Sequence, residues 1–216
     1  MKTFKTLALC LTSGLMLASS CGSSNKVTAV SAQDAVLSNI VARKSVRAFL
    51  DTEVTEEQMN TLLRAAMAAP SGHDVRPWSF IVLRDKTQFD GIFGHENHNW
   101  RMLQKAPSIV VICADTTVAV KAKKDPDEGS YRRPNQTWRD DMGACTQNFL
   151  LAAEAMGLGA VWTACYPYPD RMDPVRKALA LPDNVVPYAV VPVGVPAYEF
   201  KPKDKWDPSR IHYDKW

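Results

Sequence analysis

Ala69-Pro70-Ser71-Gly72-His73-Asp74-Val75-Arg76-Pro77-Trp78-Ser79-Phe80-Ile81-Val82-Leu83 is the stretch on which the reading of this chain turns. It runs from the end of an apolar helix, through a turn bounded by Pro70 and Pro77, into an almost continuously apolar strand. Junctions of that kind are where many proteins with mixed helix and sheet hold a ligand. Shortly upstream, Arg43-Lys44-Ser45-Val46-Arg47 puts three cations and a hydroxyl into five residues. Guanidinium groups bind a phosphate monoester bidentately and a serine hydroxyl adds a neutral donor, so the two stretches point to a flat, partly apolar ligand carrying phosphate. Taken alone, the cationic segment also reads as a solvated helix end whose dipole favours positive charge.

Working outward, Asp34 to Ala42 has apolar residues at helical spacing, with Ala35, Val36, Ile40 and Val41 on or near one face. Thr55-Glu56-Glu57-Gln58 reads as a capping box that starts a second helix, carrying Met59, Leu62, Leu63, Ala66 and Met67 and ending before Pro70. Trp78 to Leu83 is a strand with apolar residues in both alternate sets except Ser79, so both faces are expected to be covered. Gly91 to Trp100 is a polar, His-containing loop and Arg101 to Ala106 a short helix. Ile109 to Ala114 follows as a second strand, apolar on both sides. Lys121 to Pro134 has charge, Pro and Gly without a hydrophobic period and reads as an exposed connection.

The longest helix is expected from Thr137 to Met156, striped with Met142, Cys145, Phe149, Leu150, Ala153 and Met156, and stopped by Gly157 and Gly159. Ala160 to Ala164 is a third strand, Asp173 to Ala180 a helix with Pro174 in its first turn, and Tyr188 to Val195 a fourth strand. Helices between apolar strands imply an α/β or α+β core. The tail from Pro196 is rich in Pro, Lys and Asp, and its end, where Ile211 and Tyr213 alternate with polar residues, is expected to lie on another surface such as a partner subunit.

The whole chain has 216 residues, 46% hydrophobic and 23% charged, with a net charge of +3. That suits one ordinary globular domain and gives no concentrated basic face for nucleic acid. The first residues are different: Met1 to Lys5 is basic, Leu7 to Ala18 is an apolar run too short to span a bilayer, and Leu17-Ala18-Ser19-Ser20-Cys21 places small residues before a cysteine. This resembles a bacterial lipoprotein signal, with residues 1–20 removed, Cys21 acylated, residues 21–33 a tether and residues 34–216 the domain. Ordinary signal cleavage nearby is the alternative. The expected location is the exported, periplasmic side of the envelope, held to the membrane through the lipid alone. Of the remaining cysteines, Cys113, Cys145 and Cys165 are too irregularly spaced for a disulfide framework or zinc and read as buried small hydrophobes.

Arg43-Lys44-Ser45-Val46-Arg47-Ala48-Phe49 resembles the opening R-R-S-x-R-x-[FY] motif of the FMN-dependent nitroreductase family, and Ala69 to Phe80 resembles its A-P-S-x-x-N-x-Q-P-W-x-F motif. Ala106-Pro107, Gly157-Leu158-Gly159-Ala160-Val161-Trp162 and Val191-Pro192-Val193-Gly194 agree in order, so the likeness covers about Ala35 to Arg210. It implies an α+β fold with a central, mostly antiparallel sheet flanked by helices, in a homodimer with exchanged tails and one FMN at each of two intersubunit sites. It implies ping-pong chemistry, in which NADH or NADPH reduces the flavin by hydride transfer to N5 and a nitroaromatic, quinone or similar electron-poor small molecule takes the electrons. Arg43, Lys44 and Ser45, with Arg210 and Lys205 near the tail, are then expected at the FMN phosphate. Arg47 is expected by the N1 and C2 carbonyl edge, where a cation stabilises the charge of the reduced ring. Pro70, Ser71 and Asp74 would approach from the other subunit, and Thr163 and Ala164 would offer backbone N–H groups near N5.

The chain departs from the family pattern at Asp74, where Asn is usual, and at Arg76, where Gln is usual. An ionised Asp only accepts hydrogen bonds. Either Asp74 takes flavin N3–H, or it pairs with Arg76 and neither touches the ring. Ala164 or Cys165 stands where the family usually has Gly, and Cys165 could be redox-active there. Two other function classes stay open: a lipid-anchored FMN-binding module without nicotinamide turnover, and a related flavin chemistry such as reductive dehalogenation. His73, His95 and His98 lack the supporting ligands for a metal site, and no G-x-G-x-x-G, Walker lysine motif or G-x-S-x-G is in the right context.

Overall fold

A computed structural model describes residues 30–92, 100–121 and 130–216. Residues 1–29, which hold the expected signal, most of the expected tether and Cys21, lie outside the described residues, as do His95 and His98. Helix α1 (Ala32–Ala42) leads, through the segment 43–55, to α2 (Glu56–Met67). The capping box forms as expected: Gln58 N–H donates to Thr55 Oγ1 at 3.2 Å and Thr55 N–H to Gln58 Oε1 at 3.0 Å. Strand β1 (Trp78–Leu83), α3 (Trp100–Lys105) and β2 (Ser108–Asp115) follow. A hairpin of β3 (Thr117–Lys121) and β4 (Ser130–Pro134) then precedes the long α4 (Trp138–Ala155). Short β5 (Gly159–Ala160) and β6 (Thr163–Ala164), then α5 (Pro169–Ala178) and β7 (Val185–Gly194), complete the order.

The main sheet runs β1-β2-β7-β5, with β6 also on β7, and every strand pair in it is antiparallel. β2 and β7 form its centre, and every β2 residue but Asp115 is buried. β1 is an edge strand, so Ser79 is exposed and most of its neighbours are only half-buried; full cover was expected of it. One apolar core lies between the sheet and α2 and α4, with Leu62, Met142, Phe149, Val110 and Val191 in it. A second, holding Leu103, Ile109, Val175 and Val190, lies under α3 and α5 on the opposite alternate set of β2 and β7.

Three further expectations change. Lys121 to Pro134 is not simply a connection, because Ser130–Pro134 pairs with Thr117–Lys121. The third strand is broken into β5 and β6 around Val161 and Trp162. Helix α5 starts at Pro169, which takes the first-turn position, and Pro174 sits inside the helix. The end of α4 is as expected: Gly157 adopts φ +70°, its N–H donates to Glu154 O, and Leu158 N–H donates to Ala153 O at 2.8 Å. No helix among the described residues is long and apolar enough to cross a membrane.

Candidate functional site

The cationic segment is held by β5. Ser45 bridges Ala160 in parallel, and Val46 N–H donates to Ala160 O at 3.1 Å. Val46 is fully buried because Gly159 has no side chain: a Cβ there would stand 2.5 Å from Val46 Cγ1. Extended backbone then alternates Val46 inward with the exposed Arg47. Arg43 reaches a cleft of about 660 Å³ whose opposite wall comes from the tail, Pro202 to Trp206, and includes Lys205. Three cations, Arg43 from the start of the domain and Lys203 and Lys205 from the tail, thus border one space, with Asp204 the one acid among its lining residues. Lys44 points elsewhere, its ammonium 2.6 Å from Glu154 Oε1 on α4. Arg210 is exposed, pairs with Asp207 at 2.9 Å, and does not line that cleft.

The turn after α2 is backbone under strain. His73, Asp74 and Arg76 all have φ of 53–54°, the left-handed region that side chains rarely occupy. What holds it is α4: Gly72 N–H donates to Asp141 Oδ1 at 2.8 Å, and Thr137 Oγ1 lies 3.1 Å from Asp141 Oδ2. A Cβ on Gly72 would fall 2.3 Å from Thr137 Oγ1, so only glycine lets the turn sit this close. Within the turn, Arg76 N–H donates to Ser71 Oγ at 3.0 Å. Arg76 also grips Asp74 bidentately, Nε to Oδ1 at 2.7 Å and Nη2 to Oδ2 at 2.5 Å, and this bond holds the Asp74 carboxyl below the usual carboxylate range. The two unusual residues of the motif therefore pair with each other. Pro70, His73, Asp74 and Arg76 are exposed.

Thr163 and Ala164 lie on β6 against Val190 and Ala189, and Arg171 Nη1 donates to Ala164 O at 3.0 Å. Cys165 is fully buried, and burial pushes its thiol up to about 12. A neutral, enclosed thiol is a poor nucleophile, which argues against the redox role considered for it. Cys113 and Cys145 are buried and pushed up in the same way. Beside β6, Trp138, Trp162, Tyr166 and Tyr188 pack ring to ring, Trp138 and Tyr166 edge-on at 4.8 Å.

Ser45 and β6 thus share one end of the sheet through β5, and Arg43 shares a cleft with Lys205. The turn at 70–74 is elsewhere: among the described residues no hydrogen bond or ion pair joins it to the Arg43–Arg47 segment, and it lines a different cleft, of about 480 Å³, with Asp115 and Arg132. Asp141 and Thr137, which hold the turn, were not picked out from the sequence. Their only signal there is an acid in the first turn of α4. The donor set fits a flavin mononucleotide as far as its phosphate is concerned, because a dianion is served by cations bordering one space and Arg43, Lys203 and Lys205 outnumber Asp204 in this cleft.

The Nitroreductase family model matches residues 40–94 and 88–195. A protein of Methanothermobacter thermautotrophicus named "Putative NADH dehydrogenase/NAD(P)H nitroreductase" is 39% identical over 84% of this chain and 87% of its own length. A crystal structure of the same name from Bacteroides thetaiotaomicron is 43% identical, with a TM-score of 0.74 over 84% of this chain and 98% of that one. A structure from Desulfovibrio desulfuricans that holds FMN is 27% identical, with a TM-score of 0.67 over 84% of this chain and 97% of that one. With the antiparallel sheet, the cationic segment on β5 and the held turn all in place, this chain belongs to the nitroreductase family.

Proposed function

We propose that this protein is an FMN-dependent oxidoreductase that takes electrons from NADH or NADPH and passes them to a nitroaromatic, a quinone or a similar electron-poor small molecule. Family membership supports the cofactor and the donor. The observation that carries the reading is that Arg43, near the start of the domain, and Lys205, from its tail, line one cleft. When bound, FMN supplies ping-pong chemistry, accepting a hydride from the nicotinamide and then reducing the second substrate.

The chain's own part is to bind and orient. Arg43, Ser45 and Lys205 hold the phosphate, with Arg210 joining if it leaves Asp207. Lys44 instead fixes the cationic segment to α4 through Glu154. Arg47, exposed beside the buried Val46, stabilises negative charge at the pyrimidine edge. Backbone N–H groups of Thr163 and Ala164 fix the central ring. The turn of Pro70, Ser71 and Asp74 serves the flavin of a partner subunit, which explains why it is separate from Arg43 within one chain and exposed there. A homodimer follows from that division, with the tail crossing to the partner.

We also propose export and acylation at Cys21, which anchors the protein to the membrane on the periplasmic side. Cys21→Ser should then move it from the membrane to the soluble fraction; unchanged partition in a fractionation blot would refute the anchor.

Purification and a visible spectrum test the main reading. Yellow protein whose flavin bands bleach anaerobically under NADH or NADPH is the expected result. Colourless protein that takes up no FMN would overturn it, and FMN uptake without bleaching would leave a binding module.

A further inference from the structure

A third cleft, of about 490 Å³, opens at the N-terminal end of α4 and has no part in the flavin reading. Of the residues lining it one carries a formal charge, Arg139, and the charge is positive. Its guanidinium carbon lies 4.5 Å from the centre of the Trp138 ring and 5.4 Å from that of Tyr166. Arg139 Nε donates to the Tyr166 hydroxyl at 2.7 Å, and Tyr188 Oη donates to Arg139 O at 3.3 Å. The guanidinium is therefore held against an aromatic wall through Nε, while Nη1 and Nη2 have no partner among the described residues. A preset guanidinium with its fork free is suited to a carboxylate.

Asn135 supplies an independent observation in the same wall. It is only 6% exposed, and its Oδ1 accepts from Thr137 N–H at 3.0 Å and from Thr137 Oγ1 at 3.1 Å. Its amide nitrogen Nδ2 has no partner among the described residues, a costly state for a buried donor. Helix α4 starts here without a side-chain cap, so the first N–H groups of an 18-residue helix add positive potential. Of the two first-turn acids, Asp141 is engaged by Gly72 and Thr137, and Asp140 does not line the cleft. Pro134, Val186 and Tyr166 make the rest of the wall largely apolar.

We propose that this cleft binds a small aromatic carboxylate, its carboxylate taken by Arg139 and Asn135 Nδ2 and its ring by the apolar wall. A single cation and a neutral amide suit a monoanion, and the apolar wall favours an organic acid over an inorganic one. The site stands apart from the flavin reading, and a binding measurement without turnover keeps the two separable. Calorimetric titration of the full, FMN-loaded chain with benzoate should saturate, whereas benzyl alcohol, the uncharged analogue, and inorganic phosphate should each bind at least tenfold more weakly. Asn135→Asp keeps an oxygen for Thr137 and exchanges the free donor for a negative acceptor. It and Arg139→Gln should each weaken benzoate at least tenfold with the flavin spectrum unchanged. If Arg139→Gln does not fold, Asn135→Asp decides. No saturable benzoate binding, binding indifferent to Asn135→Asp, or phosphate bound as tightly as benzoate would each overturn the proposal.

Discussion

Gly72 leaves no room for a methyl group, because the added carbon would meet the Thr137 side chain at 2.3–2.9 Å. Relief would mean moving either the turn or the start of α4, and the Gly72–Asp141 hydrogen bond ties those two together. Gly72→Ala is therefore expected to cost about 1–3 kcal/mol, read as a lower midpoint in urea unfolding. Asp74 is the opposite case: it is exposed and its partner Arg76 is two residues away, so Asp74→Asn should leave the midpoint unchanged. By the family motif the amide restores a donor toward the flavin, so the same variant should bind FMN several-fold more tightly in a fluorescence titration. The motif made Asp74 and Arg76 visible in the sequence as departures, and their spacing made pairing one of two options. Asp141 was not visible, since what it holds is a backbone N–H distant in the chain, and no side-chain pattern advertises such a bond.

At the scale of elements, Lys44 and Glu154 bind the cationic segment to α4 as a half-buried pair at 2.6 Å, while Arg43 faces the cleft. Lys44→Met should thus lower stability by about 1–2 kcal/mol, with a modest effect on flavin. Arg43→Ala should do the reverse, weakening FMN more than riboflavin and leaving unfolding unchanged. The sheet and α4 also bury three thiols, in Cys113, Cys145 and Cys165, each pushed up to about 12. An unfolded chain releases those protons near 9, whereas the native chain keeps them, so the native state binds more protons between about pH 9 and 12. Stability should fall as pH rises through that window, and replacing the three by Ala should flatten the fall in alkaline thermal melts. The elements with strong local signals were legible: the capping box of α2, the stripe of α4 and the apolar runs of β1, β2 and β7. The β3–β4 hairpin was not, because Arg132 and Arg133 give β4 no apolar face and Arg132 instead reaches Asp115 and Thr117. Pro174 misled the reading of α5 because Pro169 already held the first-turn position.

For the whole molecule, the informative surface is the apolar one left uncovered. On α1, Val36 is 59% exposed, Leu37 54% and Val41 71%, and the tail leaves Trp206 at 74% and Tyr213 at 83%. A helix with apolar residues and no buried face, beside a tail whose last backbone hydrogen bond to the rest of the domain among the described residues is Ala197 N–H to Ala48 O, is poorly stabilised within one chain. In the proposed homodimer a second copy covers both, and the proposed division of the flavin residues between Arg43 and the turn at Ser71 calls for that copy. Val36→Glu with Leu37→Glu places two charges on α1 at residues that do not line the Arg43 cleft. Burying them against a partner is costly, whereas leaving them in water is not. Light scattering after size exclusion should therefore find a dimer for the parent chain and a folded monomer for the double variant, with FMN affinity down at least tenfold. A monomer that retained full FMN affinity would mean that each chain completes its own site, and the lent turn at 70–74 would lose its role.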